Sequence, residues 1–213
     1  MIYFIFLIFT IILLEMTCYI SLGSDCSVSY QLRLLGLQVY GSMPFDWMRI
    51  DRLESVCKIL EEQFTCFLDI NKYDIKSQSN DTFDKFTELG DKDKKSTKSM
   101  NKMVHKIYKF TLPHEFNNDQ LDILEFQNKY SRRIAKFINT CQNESIMKIF
   151  IRLGNNNEKE KIDKLEEQLV HCGYKNYKIK FINMDDYKNL IPLDILFNWH
   201  RDYIPWSYEL FNK

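Results

Sequence analysis

The chain has 213 residues, of which 45% are hydrophobic and 15% aromatic, enough to form the core of one folded domain. Its 29 lysines and arginines balance its 29 aspartates and glutamates, so the net charge provides no attraction to nucleic acid. The six cysteines form no CxxC pair and, apart from the adjacent pair His171-Cys172, lie far from histidines. We therefore expect reduced thiols, no metal site and no cofactor.

The first predicted segment, residues 1–15, is dominated by the apolar run Ile2–Leu14. A helix of that length spans roughly 20 Å, too short for a hydrocarbon core of about 30 Å but suited to a signal peptide. No basic residue precedes the run and no small-residue cleavage pattern follows it. Two interpretations stay open: a signal or anchor giving a membrane-associated or secretory protein, or an extension ahead of Met16 of a cytoplasmic protein.

The stretch Tyr19–Ser27 combines a predicted buried strand with the start of a helix. The strand ends at Gly23, and either Ser24 or Asp25 can cap the helix. Cys26 then lies in the first helical turn, where unpaired backbone N–H groups and the helix dipole favour the thiolate. This position predicts a reactive thiol, with an ordinary buried cysteine as the alternative.

A turn-rich loop, Gly41–Met48, follows the first helix. Pro44 fixes its backbone, and Asp46 lies between two aromatic residues, the second of which is Trp47. An acid in this setting either orients a catalytic group or caps the next element. That element is a helix beginning at Asp51, with apolar residues at helical spacing.

Residues 71–102 are polar and mixed in charge, which predicts a mobile insertion. Order returns with a predicted strand over His105–Leu112, which Pro113 ends. His114 follows in the turn, beside Glu115. A histidine at the end of a strand can act as a general base whose tautomer is set by a neighbour, although loops also hold ordinary surface histidines.

The second half of the chain alternates helices and strands. We predict, in order, a helix capped by Asn118 or Asp119 and ending near Cys141, a strand Ile146–Leu153, a helix Glu158–Cys172 and a strand Tyr177–Ile182. This alternation is typical of βαβ units with a parallel sheet. The predicted fold is therefore α/β with three layers, a mostly parallel sheet flanked by helices, in a single domain of residues 19–213 that carries the polar insertion. The aromatic-rich tail is expected to close its core.

Three groups of segments carry a resemblance: Tyr19–Cys26 with Tyr30–Arg33, Pro44–Trp47, and His114–Phe116 with Tyr130–Arg133. Together they resemble an uncharacterised bacterial and viral family described as papain-like cysteine peptidases, over roughly residues 19–153. The resemblance implies that Cys26 is the nucleophile and His114 its base. Asp46 matches the acid of the family's Pro-Phe-Asp-Trp segment, whose role the resemblance leaves open. Glu115 stands where the family more often has aspartate.

Two functions follow from these observations. The first is a peptidase-like hydrolase acting on an amide or ester, with Cys26, His114 and Asp46 as catalytic residues. Its expected substrate contacts, for a peptide, ester or glycan, are Ser24, Asp25, Trp47, Arg132 and Arg133. The alternative is a non-peptidase α/β protein that binds or processes a glycan or phosphorylated ligand at the Gly23–Cys26 helix N-terminus. Papain-like cores pair a helix with an antiparallel sheet, whereas the predicted sheet here is parallel.

Overall fold

The structure, a computed structural model, describes residues 17–77, 101–116, 120–190 and 201–211. Its strands are β1 (Thr17–Ser21), β2 (Tyr73–Ser77), β3 (Asn101–His105), β4 (Thr111–Leu112), β5 (Met147–Gly154) and β6 (Tyr177–Asn183). Its helices are α1 (Ser27–Leu34), α2 (Leu53–Glu61), α3 (Ile123–Gln142), α4 (Asn156–Lys159), α5 (Ile162–His171) and α6 (Trp206–Phe211). Short 3₁₀ segments cover Ile70–Lys72 and Met184–Leu190.

A parallel sheet with the strand order β1-β5-β6 forms the centre of the fold. Ile20 of β1 lies opposite Phe150 of β5, and Phe150 lies opposite Ile179 of β6. The central strand β5 is an apolar run buried along most of its length, as a strand with neighbours on both edges and both faces requires. The parallel sheet expected from the alternation of elements is confirmed.

Helices cover both faces of this sheet. Cys18, Ile20 and Leu22 point to one face, where they pack with the apolar sides of α2, α3 and α5. Tyr19, from the opposite face of the same strand, packs with α1 and with the C-terminal residues Ile204, Trp206 and Leu210. Because neighbouring strand residues alternate between faces, β1 contributes to two separate cores. The predicted three-layer α/β fold is confirmed, and the described part of the aromatic tail does close one core.

A second sheet, antiparallel with the order β2-β3-β4, differs from the sequence prediction. The single strand expected over His105–Leu112 is wrong, because β3 ends at His105 and β4 begins only at Thr111. The cause is the His105 ring, whose Nδ1 accepts the backbone N–H groups of Ile107 (3.2 Å) and Tyr108 (3.1 Å) and so closes a turn. Nε2 of the same ring lies 3.1 Å from the Cys66 carbonyl oxygen and donates to it, and burial lowers the pKa of this histidine.

The segment predicted as a mobile insertion, residues 71–102, is ordered at both ends. Strand β2 occupies residues 73–77, and β3 begins at Asn101 and pairs with it. Residues 78–100 lie outside the described residues. The domain boundaries given above stay predictions.

Two helix boundaries also differ from expectation. Helix α3 is capped by Asp122, whose carboxylate accepts the Glu125 N–H at 2.8 Å, and the expected caps Asn118 and Asp119 lie outside the described residues. The helix predicted over residues 158–172 is divided into α4 and α5.

The apolar run Ile2–Leu14 also lies outside the described residues. Among the helices that the structure describes, none is both long enough and apolar enough to cross a membrane.

Candidate active site

The turn that carries Cys26 follows the carboxyl end of β1, the edge at which α/β proteins bind ligands. Gly23 has φ of +77°, and a Cβ at this position would lie 2.9 Å from Ile50 Cδ1. Ser24 also adopts the left-handed region, with φ of 92°, which costs a non-glycine residue on the order of 1–3 kcal/mol. The turn is therefore closely packed and strained, and Cys26 directly precedes α1.

A segment between α1 and α2 joins this turn to the strand that leads to His114. The Ile50 N–H donates to the Ser24 carbonyl at 3.1 Å. Its neighbour Arg49 pairs with Thr111 through two backbone hydrogen bonds of 2.9 and 2.8 Å. Continuous backbone hydrogen bonding thus extends from the turn that carries Cys26, at the end of β1, to β4 of the antiparallel sheet.

Cys26 and His114 meet where these segments end. The Cys26 Sγ atom lies 3.6 Å from His114 Nε2, although the two residues are 88 positions apart in the chain. The cysteine is partly exposed and the histidine is exposed, so a substrate has access to both. The distance is that of a hydrogen bond to sulfur and allows direct transfer of the thiol proton to the ring.

The expectation that the helix end makes Cys26 a thiolate is wrong for the isolated thiol. Burial, with smaller contributions from the Asp25 and Asp46 charges, raises the pKa of Cys26 to about 12. A helix terminus contributes about 0.3–2 kcal/mol, hardly more than one pKa unit, whereas burial shifts a pKa by up to about 3–5 units. The thiol is therefore protonated at neutral pH, and its activation needs a base such as His114.

Backbone N–H groups at the turn are available to a ligand. Asp25 and Cys26 precede α1, and within the described residues their backbone N–H groups have no hydrogen-bond acceptor. Free N–H donors beside a nucleophile are what an oxyanion hole requires.

Asp46 is buried close to this site and holds the loop against α1. Its Oδ1 accepts the Ser29 hydroxyl, and its Oδ2 accepts the Gln38 amide and the Met43 N–H, each at 2.7 Å. Burial raises the pKa of Asp46, and these three hydrogen bonds together with the Arg133 charge oppose that rise. None of its three donors is a histidine, so its contacts are those of a residue that shapes the loop.

Glu115, beside His114, attaches this part of the chain to α3. Its carboxylate accepts the Tyr130 hydroxyl at 3.0 Å and forms an ion pair with Lys129. The Glu115 side chain is only 5% exposed. Residues from the middle of α3 thereby fix the backbone of the residue that follows the histidine.

The expected substrate-contact residues fall into two groups. Asp25 is part of the turn that carries Cys26, and Arg201 Nη2 contacts its Oδ2 at 2.6 Å. Trp47 is half-buried beside Asp46, with φ of 63°. The two arginines lie on α3. Arg133 is stacked over the Tyr130 ring at 5.2 Å and Arg132 is exposed.

One buried ion pair supports the site and was not anticipated from the sequence. Arg152 of β5 contacts Glu158 of α4 at 2.6 Å, with side-chain exposures of 1% and 9%. The same guanidinium donates to the carbonyls of Leu22 at 3.2 Å and Ile50 at 2.9 Å, while Glu158 accepts the Leu53 N–H at 2.7 Å. The available signal was an arginine inside a mainly apolar strand, whose other charged residue is Lys148.

The described ranges contain no group of three or more His, Cys, Asp or Glu side chains placed to hold a metal ion. Among the same residues all six cysteines are free thiols.

Comparison with known proteins identifies the family of the chain. A sequence model of the family described as "Putative papain-like cysteine peptidase (DUF1796)" matches residues 17–186. The chain is 29% identical over 225 residues to the uncharacterised protein R408 of Acanthamoeba polyphaga mimivirus, covering 92% of this chain and 98% of that relative. No solved structure matches the chain. Because the family match includes most of the chain, with both Cys26 and His114, the protein belongs to this papain-like cysteine peptidase family.

Proposed function

We propose that the protein is a cysteine hydrolase that cleaves an amide or ester bond, with Cys26 as nucleophile and His114 as general base. The observation that carries the proposal is the 3.6 Å distance between Cys26 Sγ and His114 Nε2. The description of the family as cysteine peptidases supports a cysteine as the nucleophile. Because the raised pKa keeps the Cys26 thiol protonated, a base such as His114 is needed to remove its proton.

In the first step, His114 Nε2 takes the thiol proton as Cys26 Sγ forms a bond to the substrate carbonyl carbon. The carbonyl double-bond electrons move onto oxygen, and the resulting oxyanion accepts hydrogen bonds from the backbone N–H groups of the turn. For Nε2 to accept a proton, the neutral ring must carry its own proton on Nδ1.

In the second step, the oxyanion collapses and the C–N or C–O bond of the substrate breaks. The His114 imidazolium gives its proton to the leaving amine or alcohol, which leaves a thioester on Cys26. Water then attacks the thioester while His114 takes a proton from it. The S–C bond breaks, the proton returns to sulfur, and the carboxylic acid product departs.

The proposal gives supporting roles to three neighbouring residues, Asp46, Ser24 and Trp47. Asp46 holds the loop through Ser29 and leaves proton transfer to the two central residues. Ser24 places the turn through its left-handed backbone, and the partly exposed Trp47 ring offers an apolar surface to a substrate.

The alternative, a site that binds a glycan or phosphorylated ligand at the same helix N-terminus, has weaker support. The carboxylates of Asp25 and Asp46 lie close enough to raise the pKa of Cys26 and would repel an anion. The guanidinium of Arg201, which could attract one, is already paired with Asp25. This alternative would be favoured if an added anion slowed the alkylation of Cys26 while the protein transferred no acyl group.

Acylation by the simple ester p-nitrophenyl acetate tests the proposal without knowledge of the natural substrate. We expect release of nitrophenolate together with an acetyl group on Cys26, located by mass spectrometry of peptides. Cys26→Ala should abolish this adduct, and His114→Ala should slow its formation by about 10²–10⁴-fold. Cys66→Ala is the matched control, a half-buried thiol outside the pair, and should acylate at the normal rate. Equal rates in the wild type and His114→Ala would refute the general-base role.

A further inference from the structure

The Asp25 carboxylate, next to the nucleophile, uses both of its oxygens. Oδ1 accepts the backbone N–H of Ser27 at 2.9 Å and also the Ser27 hydroxyl. Oδ2 accepts Nε of Arg201 at 2.9 Å and Nη2 of the same side chain at 2.6 Å. Asp25 therefore connects the first residue of α1 to a residue 176 positions further along the chain.

The C-terminal segment holds Arg201 ready for this contact. The Arg201 carbonyl accepts the indole N–H of the buried Trp206 at 2.9 Å, and its Nη1 donates to the Tyr203 hydroxyl at 3.1 Å. Its backbone adopts the left-handed region, with φ of 54°. A second link, from the Gln31 amide to Asp202 at 2.8 Å, attaches the same segment to α1. These contacts hold the Arg201 side chain in place in addition to its ion pair with Asp25.

We propose that Arg201 is a positioning residue of the active site, which fixes the nucleophile turn through Asp25 and neutralises the carboxylate beside the Cys26 thiol. This inference rests on the proposed function. It assigns the C-terminal segment a part in reactivity as well as in core packing. Without its counter-charge, Asp25 would oppose thiolate formation more strongly.

The charges around the thiol support this role. Asp25 of the turn and Asp46 of the following loop both raise the pKa of Cys26. The ring of His114, which follows β4, contacts the thiol, Arg201 is paired with Asp25, and the Arg133 charge of α3 acts on Asp46. Arg201 is the cation bonded directly to the nearer carboxylate.

The test measures the rate of iodoacetamide labelling of Cys26 at pH 8 in the full chain, with peptide mapping. Arg201→Gln should slow this labelling roughly 3- to 10-fold, because the unpaired Asp25 charge opposes thiolate formation. Asp25→Asn breaks the same ion pair but removes the negative charge, so it should label faster than the wild type. Arg201→Lys keeps the charge and should restore most of the wild-type rate. Lys175→Gln, which breaks the exposed pair with Glu144 at the other end of the sheet, is the control and should change nothing.

Opposite changes of the labelling rate in Arg201→Gln and Asp25→Asn support the inference, because a purely structural role would change both rates in the same direction. Changes of the same sign, or an unchanged rate in folded Arg201→Gln protein, would overturn it. The His114→Ala variant separates the two proposals. If the labelling rate is unchanged in His114→Ala but changes in Arg201→Gln, the general-base function is refuted and the positioning role stands. If the rate changes in His114→Ala but not in Arg201→Gln, only the role of Arg201 is refuted.

Discussion

Cys26 owes its proposed reactivity to a neighbouring base. The sequence singled out Cys26 from its place before a helix and His114 from its place after a strand; the two side chains lie 3.6 Å apart, and their catalytic roles stay predictions. It gave the wrong reason for the cysteine, because burial and two carboxylates outweigh the helix end and raise the pKa of Cys26. Burial of this kind arises from tertiary packing and has no local sequence signal.

We expect Glu115 to hold the neighbouring His114 in position through its contacts with α3. Glu115→Gln loses the charge that Lys129 pairs with while it keeps the shape of the side chain. We expect a loss of about 1.5–3 kcal/mol in unfolding free energy and roughly a 10-fold slower acylation of Cys26, because a displaced base transfers protons poorly. Urea unfolding and the ester assay measure both. Glu144→Gln, at an exposed ion pair, is the matched control; acylation unchanged in Glu115→Gln would show that this contact does not position the histidine.

Local elements followed from the sequence, and the contacts that join them did not. The strand, turn and helix around Cys26 were predictable because capping residues, a glycine and apolar spacing act over a few positions. The backbone link from Ser24 through Ile50 and Arg49 to Thr111 spans distant segments and has no periodic signal. The hairpin after His105 was missed because a side-chain ring, which the alternating pattern does not reveal, closes its turn.

The Arg152–Glu158 pair fixes the base of the active-site turn. Arg152→Met leaves the Glu158 carboxylate buried without its counter-charge and removes the donors to the Leu22 and Ile50 carbonyls. We expect this variant to lose about 3–5 kcal/mol of unfolding free energy, measured by urea denaturation. Lys175→Met breaks an exposed pair and should leave stability unchanged. A small loss in Arg152→Met would mean that the turn does not depend on this pair.

Gly23 allows the close approach between the turn and Ile50. Gly23→Ala places a Cβ at 2.9 Å from Ile50 Cδ1 and also forces alanine to a φ of +77°. Gly36→Ala is a matched control with a φ of +69° and open space around the added atom. Both variants should lose about 1–2 kcal/mol for the backbone, and Gly23→Ala should lose more and also acylate more slowly. If thermal unfolding showed equal losses of stability in Gly23→Ala and Gly36→Ala, the close contact with Ile50 would not be destabilising.

The whole molecule places its two proposed catalytic residues on different sheets. Cys26 follows a strand of the parallel sheet, and His114 follows the edge strand of the antiparallel sheet. Alternating helices and strands made the parallel sheet and its three layers predictable from the sequence. The antiparallel sheet was not, because β2 lies in polar sequence and β4 has only two residues.

Buried thiols should make the fold sensitive to alkaline pH. Burial raises the pKa of Cys18 and Cys26 to about 12 and that of Cys57 to about 11, from an ordinary value of 9.0. The unfolded chain therefore releases these thiol protons first, so the contribution of the thiols to stability is constant below about pH 8.5 and falls as pH rises from 9 towards 12. Cys18 alone should account for about 1 kcal/mol lost by pH 10. Urea midpoints from pH 8 to 10 measure this fall in stability, which should be shallower in Cys18→Ala than in the wild type. Falls of equal slope in the two proteins would show that the Cys18 thiol does not contribute to the pH dependence.

The most direct test of the Cys26–His114 pair is the labelling of the six cysteines by iodoacetamide at pH 7, compared in wild-type and His114→Ala protein. The proposed pair predicts that Cys26 of the wild type reacts faster than Cys57, whose thiol burial also keeps protonated, and that His114→Ala removes this advantage. Labelling of Cys26 that is no faster than that of Cys57, or an advantage that survives the loss of His114, would contradict it.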